Sequence, residues 1–284
     1  MIEDKRIREL ELFAQEIRLE TLKIIHSRGN GHIGGSMSIA DALALLYGEI
    51  MHYDPKEPLM KDRDWCVLSK GHAGPALYAT LGLSGYFPVN EAYTLNDFNT
   101  HFPSHTDHLI TKGVDLTTGS LGQGFSQAAG VALGNRLQGI ESDVYVFIGD
   151  GEADEGQIWE AAQFTAHYKL KHLIALIDNN GRQLDGSCEE VMSHGKGLGA
   201  KFEAFGWNVI EVQDGNSIKE LAAAFEKARS SELPTALILH TIKGKGVSLM
   251  EKSGAHSAKP SAAEWEQMLK EAEEKLMTMK EQAL

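Results

Sequence analysis

The sequence predicts an α/β protein: a doubly wound, mainly parallel sheet with helices on both faces. Three observations carry this. Five short apolar runs rich in β-branched residues read as strands: 65–69, 144–149, 173–178, 208–212 and 235–241. They are apolar throughout rather than alternating, as strands covered on both faces are. Helical patterns at 122–139, 153–168, 196–205 and 217–230 separate most of them, the alternation that builds parallel sheets.

The remaining elements follow in order. Residues 5–27 place Ile7, Leu10, Ala14, Ile17, Thr21 and Ile24 at three- and four-residue steps among charges, which predicts a helix with one buried stripe. Gly29-Asn30-Gly31-His32-Ile33-Gly34-Gly35 is too glycine-rich for regular structure and reads as a loop able to approach a ligand closely. A second helix is expected over 39–52 and a last one, rich in Glu and Lys, over 261–283. No repeat and no Pro/Ser-rich linker interrupts the chain. The expectation is one domain over 1–284, with an N-terminal helical region over 1–60.

The 284 residues are 42% hydrophobic, enough for a sizeable core, and carry a net charge of −13. Phosphate-backbone recognition needs clustered Lys and Arg, so this balance argues against nucleic acid. Cys66 and Cys188, the only cysteines, are distant in sequence and read as inert thiols of a reducing compartment. No export signal is visible and no stretch approaches the roughly 18 apolar residues of a membrane span, so the cytoplasm is expected.

The most informative stretch is Val144–Ile148 running into Gly149-Asp150-Gly151-Glu152. It puts an acidic residue between glycines at the carboxyl end of a buried strand, where open α/β sheets bind ligands. A helix starting near Asp154 would aim its N-terminal amides at the same crevice and favour an anion such as a diphosphate. A carboxylate there repels that anion unless a divalent cation lies between them, and Mg²⁺ is commonly shared by protein oxygens and phosphates in this way. The next strand ends in Asp178-Asn179-Asn180, which brings a second oxygen donor to the same edge.

A GDG tip, one crossover and an NN tip resemble the thiamine diphosphate signature. Four further segments resemble the transketolase family specifically: RGNGHIGGSMS (28–38), LSKGHAGPALYATL (68–81), DLTTGSLGQGFSQAAG (115–130) and GDGEADEGQIWEAA (149–162). The likeness extends from about residue 5 to residue 260 and implies the family's N-terminal cofactor domain, with thiamine diphosphate and Mg²⁺ as cofactors. By resemblance, Mg²⁺ is held by Asp150, Asn180 and the main-chain carbonyl of Arg182. His72, Gly119, Ser120, Leu121, Asp150, Gly151, Glu152, Asn180 and His256 face the cofactor. His32 and His256 exchange the proton of the donor ketose C3 hydroxyl, and His105 holds the substrate carbonyl and terminal hydroxyl. Glu155 matches the family's proton-relay glutamate at a dimer interface; as a first-turn helix acid it also has a purely structural reading.

The reaction implied is transfer of a two-carbon ketol group from a ketose phosphate to an aldose phosphate. Full-length members also carry a pyrimidine-binding domain and a C-terminal domain, so a separate C-terminal subunit is expected, the two chains forming a heterotetramer on sugar phosphate substrates. The other readings are a different enzyme of the same cofactor class, such as a deoxyxylulose-phosphate synthase or dehydrogenase component, and a non-catalytic cofactor-binding module. Three departures from the family pattern stand out: Ile33 where proline is usual, Ser104-His105-Thr106 in place of Gly-His-Pro, and Lys70 before Gly71-His72. Lys70 is expected to alter the site entrance.

Other motifs are set aside. Gly29-x-Gly31-x-x-Gly34 leaves a helix rather than a strand, unlike a dinucleotide fingerprint. Lys243-Gly244-Lys245-Gly246 has the wrong spacing for a phosphate loop and reads as a flexible loop over the active site. His101, His105 and His108 lack the rigid scaffold of a zinc site.

Overall fold

The computed structural model describes residues 2–283; Met1 and Leu284, the ends of the expected 1–284 domain, lie outside the described residues. Five strands, β1 (Trp65–Leu68), β2 (Val144–Gly149), β3 (Leu173–Asn179), β4 (Asn208–Val212) and β5 (Thr235–His240), form one sheet in the order β1-β2-β3-β5-β4. Every neighbouring pair is parallel. Because side chains alternate across a strand, β2 sends Tyr145 and Phe147 into one core and Val144, Val146 and Ile148 into the other. Both cores are apolar, which is why the strand sequence has no polar phase.

On one face lie α1 (Asp4–Arg28), α3 (Ala40–Leu45), α4 (Gly74–Leu83) and, late in the chain, α9 (Ile218–Arg229), while α2 (Ile33–Met37) packs against α1 and α4 and sends Ile33 and Met37 into a separate cluster. On the other lie α5 (Gln123–Gln138), α6 (Gly156–His167) and α8 (Leu198–Ala204). The short α7 (Cys188–Val191) precedes α8, and α10 (Ser248–Ser253) and α11 (Ala262–Ala283) close the chain. The doubly wound α/β class expected from sequence is the one observed.

Details differ for identifiable reasons. The glycine-rich segment 29–35 is a loop only to His32; from Ile33 it turns into α2, whose residues are all buried. The expected helix 39–52 is α3 followed by a π-helical turn over Leu46–Ile50. Helix α4 escapes periodicity because GPALYATLGL is buried on almost every side, with Pro75 fitting its first turn. Helix α1 is buried on two sides rather than along one stripe. Leu10, Ala14, Ile17 and Ile24 face the sheet core, while Leu19, Leu22 and Ile25 form a third cluster with Trp265, Met268 and Ala272 of α11. The Gln15 amide nitrogen donates to the Ala272 carbonyl at 3.1 Å, so that docking also gives a buried donor its acceptor.

Candidate cofactor and active site

Strand register places the site. Gly149 at the tip of β2 pairs with Asp178 near the tip of β3, and the Asp150 amide donates to the Asp178 carbonyl at 3.2 Å. The two strand ends read from sequence as ligand donors therefore lie side by side. A cavity of about 300 Å³ opens at this edge. Of the residues expected to act, it is lined by His32, His72, His105, His256, Gly119, Leu121, Asp150, Gly151, Glu152, Asn180 and Arg182. Ser120 and Glu155 are exposed and are not among its lining residues; Glu155 sits at the N-cap of α6 without a side-chain capping bond.

The four histidines form a contiguous wall. Ring centroids are 4.6 Å apart for His72 and His256, 5.2 Å for His32 and His256, 5.4 Å for His32 and His72, and 5.7 Å for His32 and His105. Distant segments are tied together to do this. Gly31 and Ala258 exchange amide-to-carbonyl bonds of 3.1 and 3.0 Å, which locks the loop before His32 to the loop after His256. Burial lowers the pKa of all four. For His256 burial, then Lys243, brings it down to about 4, and for His72 burial, then Lys70, holds it well below the usual range. The wall is therefore neutral at neutral pH and able to accept a proton.

Asp150 is 3% exposed. Its carboxylate accepts from the main-chain amides of Gly151 at 2.8 Å and Gly181 at 2.6 Å, yet no cationic side chain pairs with it among the described residues. Burial, then the neighbouring Asp178, pushes its carboxyl up to about 6. Such a group is under-compensated and suited to a cation. Beside it, the Asn180 amide nitrogen donates to Asp178 at 2.9 Å, which fixes the orientation of its amide. A carboxylate, an amide oxygen and the Arg182 carbonyl make an oxygen-only donor set that matches a hard divalent cation such as Mg²⁺. The amides near the cavity belong to a 3-10 turn over Gly151–Asp154; α6 itself starts only at Gly156.

Glu152 is committed to the scaffold. It accepts from the Ser69 hydroxyl at 2.5 Å, the Gly122 amide at 2.9 Å and the Gly149 amide at 3.1 Å, joining the end of β1, the start of α5 and the tip of β2. Gly71 explains another fixed approach, since a Cβ there would lie 2.9 Å from the Thr118 carbonyl carbon and 3.0 Å from the Gly119 nitrogen. Only glycine lets the Lys70–His72 corner close onto the Gly119 loop.

Three residues of the site are not evident from sequence. Lys70, read there as a change at the entrance, is instead 1% exposed and ion-paired with Asp178, with a second bond to the Gly35 carbonyl at 2.8 Å. Asp178 is fully buried. It also accepts from the Ser38 hydroxyl at 2.7 Å and from the Thr241 hydroxyl, so although burial opposes its charge, Lys70 and these donors hold it below the usual carboxylate range. Lys243 points into the cavity from the segment read as a flexible loop. That segment is a bonded turn, with Gly244 and Gly246 at φ of 82° and 87° and the Gly244 amide on the Gly34 carbonyl at 3.0 Å. Burial pushes the Lys243 ammonium down, with Asp150 opposing. The alternating glycines were the available signal. His101 and His108 turn elsewhere, to the Ile110 carbonyl and the Thr117 hydroxyl.

Known proteins agree with this architecture. Residues 10–276 match the family described as transketolase, thiamine diphosphate binding domain. The chain is 46% identical over 267 residues to the 6-deoxy-6-sulfo-D-fructose transketolase subunit of Clostridium sp. (strain MSTE9), covering 93% of this chain and 96% of that protein. It is 36% identical over 273 residues to an apulose-4-phosphate transketolase subunit of Phocaeicola vulgatus, covering 95% and 96%. A crystallised transketolase variant from Pichia stipitis shares the fold with a TM-score of 0.87 at 30% identity, covering 95% of this chain but 40% of that one. For the transketolase of Leishmania mexicana the TM-score is 0.83 at 26% identity, covering 96% and 46%. The chain thus spans under half of these solved transketolases and nearly the whole of the two subunit relatives. By sequence match and shared fold, it belongs to the transketolase family, within its thiamine diphosphate-binding domain.

Proposed function

We propose that this chain is the cofactor-binding subunit of a two-chain, cytoplasmic transketolase, one domain over 1–284 that works with a C-terminal subunit in a heterotetramer. The observation that carries this is the convergence of Asp150 and Asn180 with four neutral histidines on one cavity. The near-complete coverage of relatives named as subunits supports the split arrangement.

Asp150, the Asn180 side chain and the Arg182 carbonyl hold Mg²⁺. His72, the Gly119-Ser120-Leu121 loop, Gly151, Glu152 and His256 shape the cofactor wall, Glu152 through the bonds that fix the strand tips. Thiamine diphosphate, when bound, supplies the electron sink that cleavage next to a ketose carbonyl requires. The protein moves protons. His32 and His256 take and return the proton of the donor C3 hydroxyl, which their neutrality permits. His105 orients the carbonyl and terminal hydroxyl, and Glu155 lies on the exposed surface where a partner protomer would receive a relay. Pentose, branched and sulfonated ketoses are the donor classes to compare, the sulfonated one first because the 46% identical relative is named for such a sugar.

The test combines this chain with the product of an adjacent reading frame, thiamine diphosphate and Mg²⁺, and assays a ketose donor panel. Ketol transfer that requires both chains is expected. Full-rate transfer by this chain alone would overturn the two-chain reading. In Asp150→Ala, Mg²⁺-dependent cofactor binding should vanish by calorimetry with the fold intact; retained affinity would remove Asp150 from the site.

A further inference from the structure

Among the described residues, the lysines and arginines that line the cavity are Lys70, Arg182 and Lys243. Both lysines are buried, at 1% and 4% exposure, and each is engaged, Lys70 by Asp178 and Lys243 by the Arg182 carbonyl. Arg182 differs. It is exposed, and among the described residues its guanidinium makes no hydrogen bond and no ion pair. Glu190 feels its charge, but that carboxylate is committed to the Ser187 hydroxyl at 2.7 Å and the Ser187 amide at 3.2 Å.

The position is built in. The Arg182 backbone forms an antiparallel bridge with Ser187, its amide donates to the Asn180 side-chain oxygen at 3.2 Å, and the Gln183 amide donates to the Gly186 carbonyl at 2.8 Å. Its side chain lies across Gly254, where a Cβ would stand 2.5 Å from the Arg182 Cδ and 2.9 Å from its Cζ. Gly254 has φ of 59°, so glycine suits both the backbone and the arginine seated on it. His256 of the histidine wall follows two residues later, at most about 7 Å along the chain. The guanidinium therefore stands at the solvent side of the cavity, next to His256.

We propose that Arg182 is a specificity residue whose side chain receives the terminal tetrahedral oxyanion, phosphate or sulfonate, of the donor ketose. This rests on the ketol-transfer reading above and gives its site a substrate class. With the C3 hydroxyl of the donor between His32 and His256, the three carbons beyond C3 of a six-carbon ketose carry its terminal group past His256 toward Gly254. A guanidinium presents paired N–H donors that match two oxygens of such a group, whereas an uncharged terminal hydroxyl gains little from it. Because Arg182 is exposed, the discrimination is moderate and is screened by salt. One residue then serves two ligands, its carbonyl on the metal side and its guanidinium on the substrate side.

The experiment uses the assembled two-chain enzyme with thiamine diphosphate and Mg²⁺, and compares fructose carrying phosphate at C6, deoxyfructose carrying sulfonate at C6, and uncharged erythrulose as donors. The readout is kcat/KM for each charged donor divided by that for erythrulose. Arg182→Met keeps an unbranched stem and the main-chain carbonyl. It should lower this ratio about tenfold, mainly through KM, the size of one lost hydrogen bond to a charged group. Arg182→Lys keeps the charge and should recover part of the loss; Arg182→Gln should behave as the Met variant and serves if that one does not fold. A fall for both charged donors assigns the subsite to tetrahedral oxyanions in general, and a fall for one assigns it to that anion. An unaltered ratio would overturn the proposal, as would a parallel loss on all three donors with weakened thiamine diphosphate binding by calorimetry. If the unaltered pair of chains transfers ketol from none of the donors, the ketol-transfer reading fails and this inference with it; transfer from charged donors with a ratio indifferent to Arg182 sinks the inference alone.

Discussion

The Lys70 ammonium lies 2.5 Å from the Asp178 carboxylate, with side chains 1% and 0% exposed. The pair reaches from the end of β1 to the tip of β3, past the intervening β2, and the same carboxylate orients Asn180. Deleting one partner of a buried pair strands the other charge, so Lys70→Met should cost about 3–5 kcal/mol of stability. Urea unfolding of the cofactor-free chain measures this. An unchanged midpoint would show that water reaches Asp178.

Glu152 makes a second prediction. Glu152→Ala leaves the Gly122 and Gly149 amides without their carboxylate acceptor in a buried corner, at about 1–3 kcal/mol for each orphaned donor. Glu152→Gln keeps an acceptor oxygen and should lose less. Equal stability of the Ala and Gln variants would contradict the joining role given to this carboxylate.

Acidification should weaken the cofactor-free fold through the histidine wall. His256 has its pKa near 4 in the folded chain and near 6.5 unfolded, mainly because of burial. Between those values the unfolded chain binds more protons, so stability rises with pH there and is lost as pH falls from 6.5 toward 4. His32 and His72, also lowered, act in the same direction. His256→Gln should flatten this part of the stability profile, measured as denaturation midpoint against pH. A slope unaltered by the substitution would place His256 in solvent.

Taken alone, the sequence determined the α/β class, because strands covered on both faces must be apolar on both faces and the helices between them carry their own period. It also determined the meeting of the two strand tips: Gly149-Asp150-Gly151 and Asn180 end neighbouring strands, and parallel pairing brings those ends together whatever the loops do. The gathering of His32, His72, His105 and His256 was legible only through family likeness, since no local rule joins residues so far apart; the Gly31–Ala258 bridge and the folded core do that. Tertiary structure alone decided three things. Docking of α11 buried a second side of α1 that its stripe does not show. Packing over the strand tips turned Lys70 inward to meet Asp178, a partnership more than one hundred residues long in sequence. And the paired glycines of 243–246 curled a segment read as a flexible loop into a bonded turn that delivers Lys243 to the Arg182 carbonyl. The physical reason is common to all three: burial and charge pairing depend on which surfaces meet, and periodicity reports only that a surface exists.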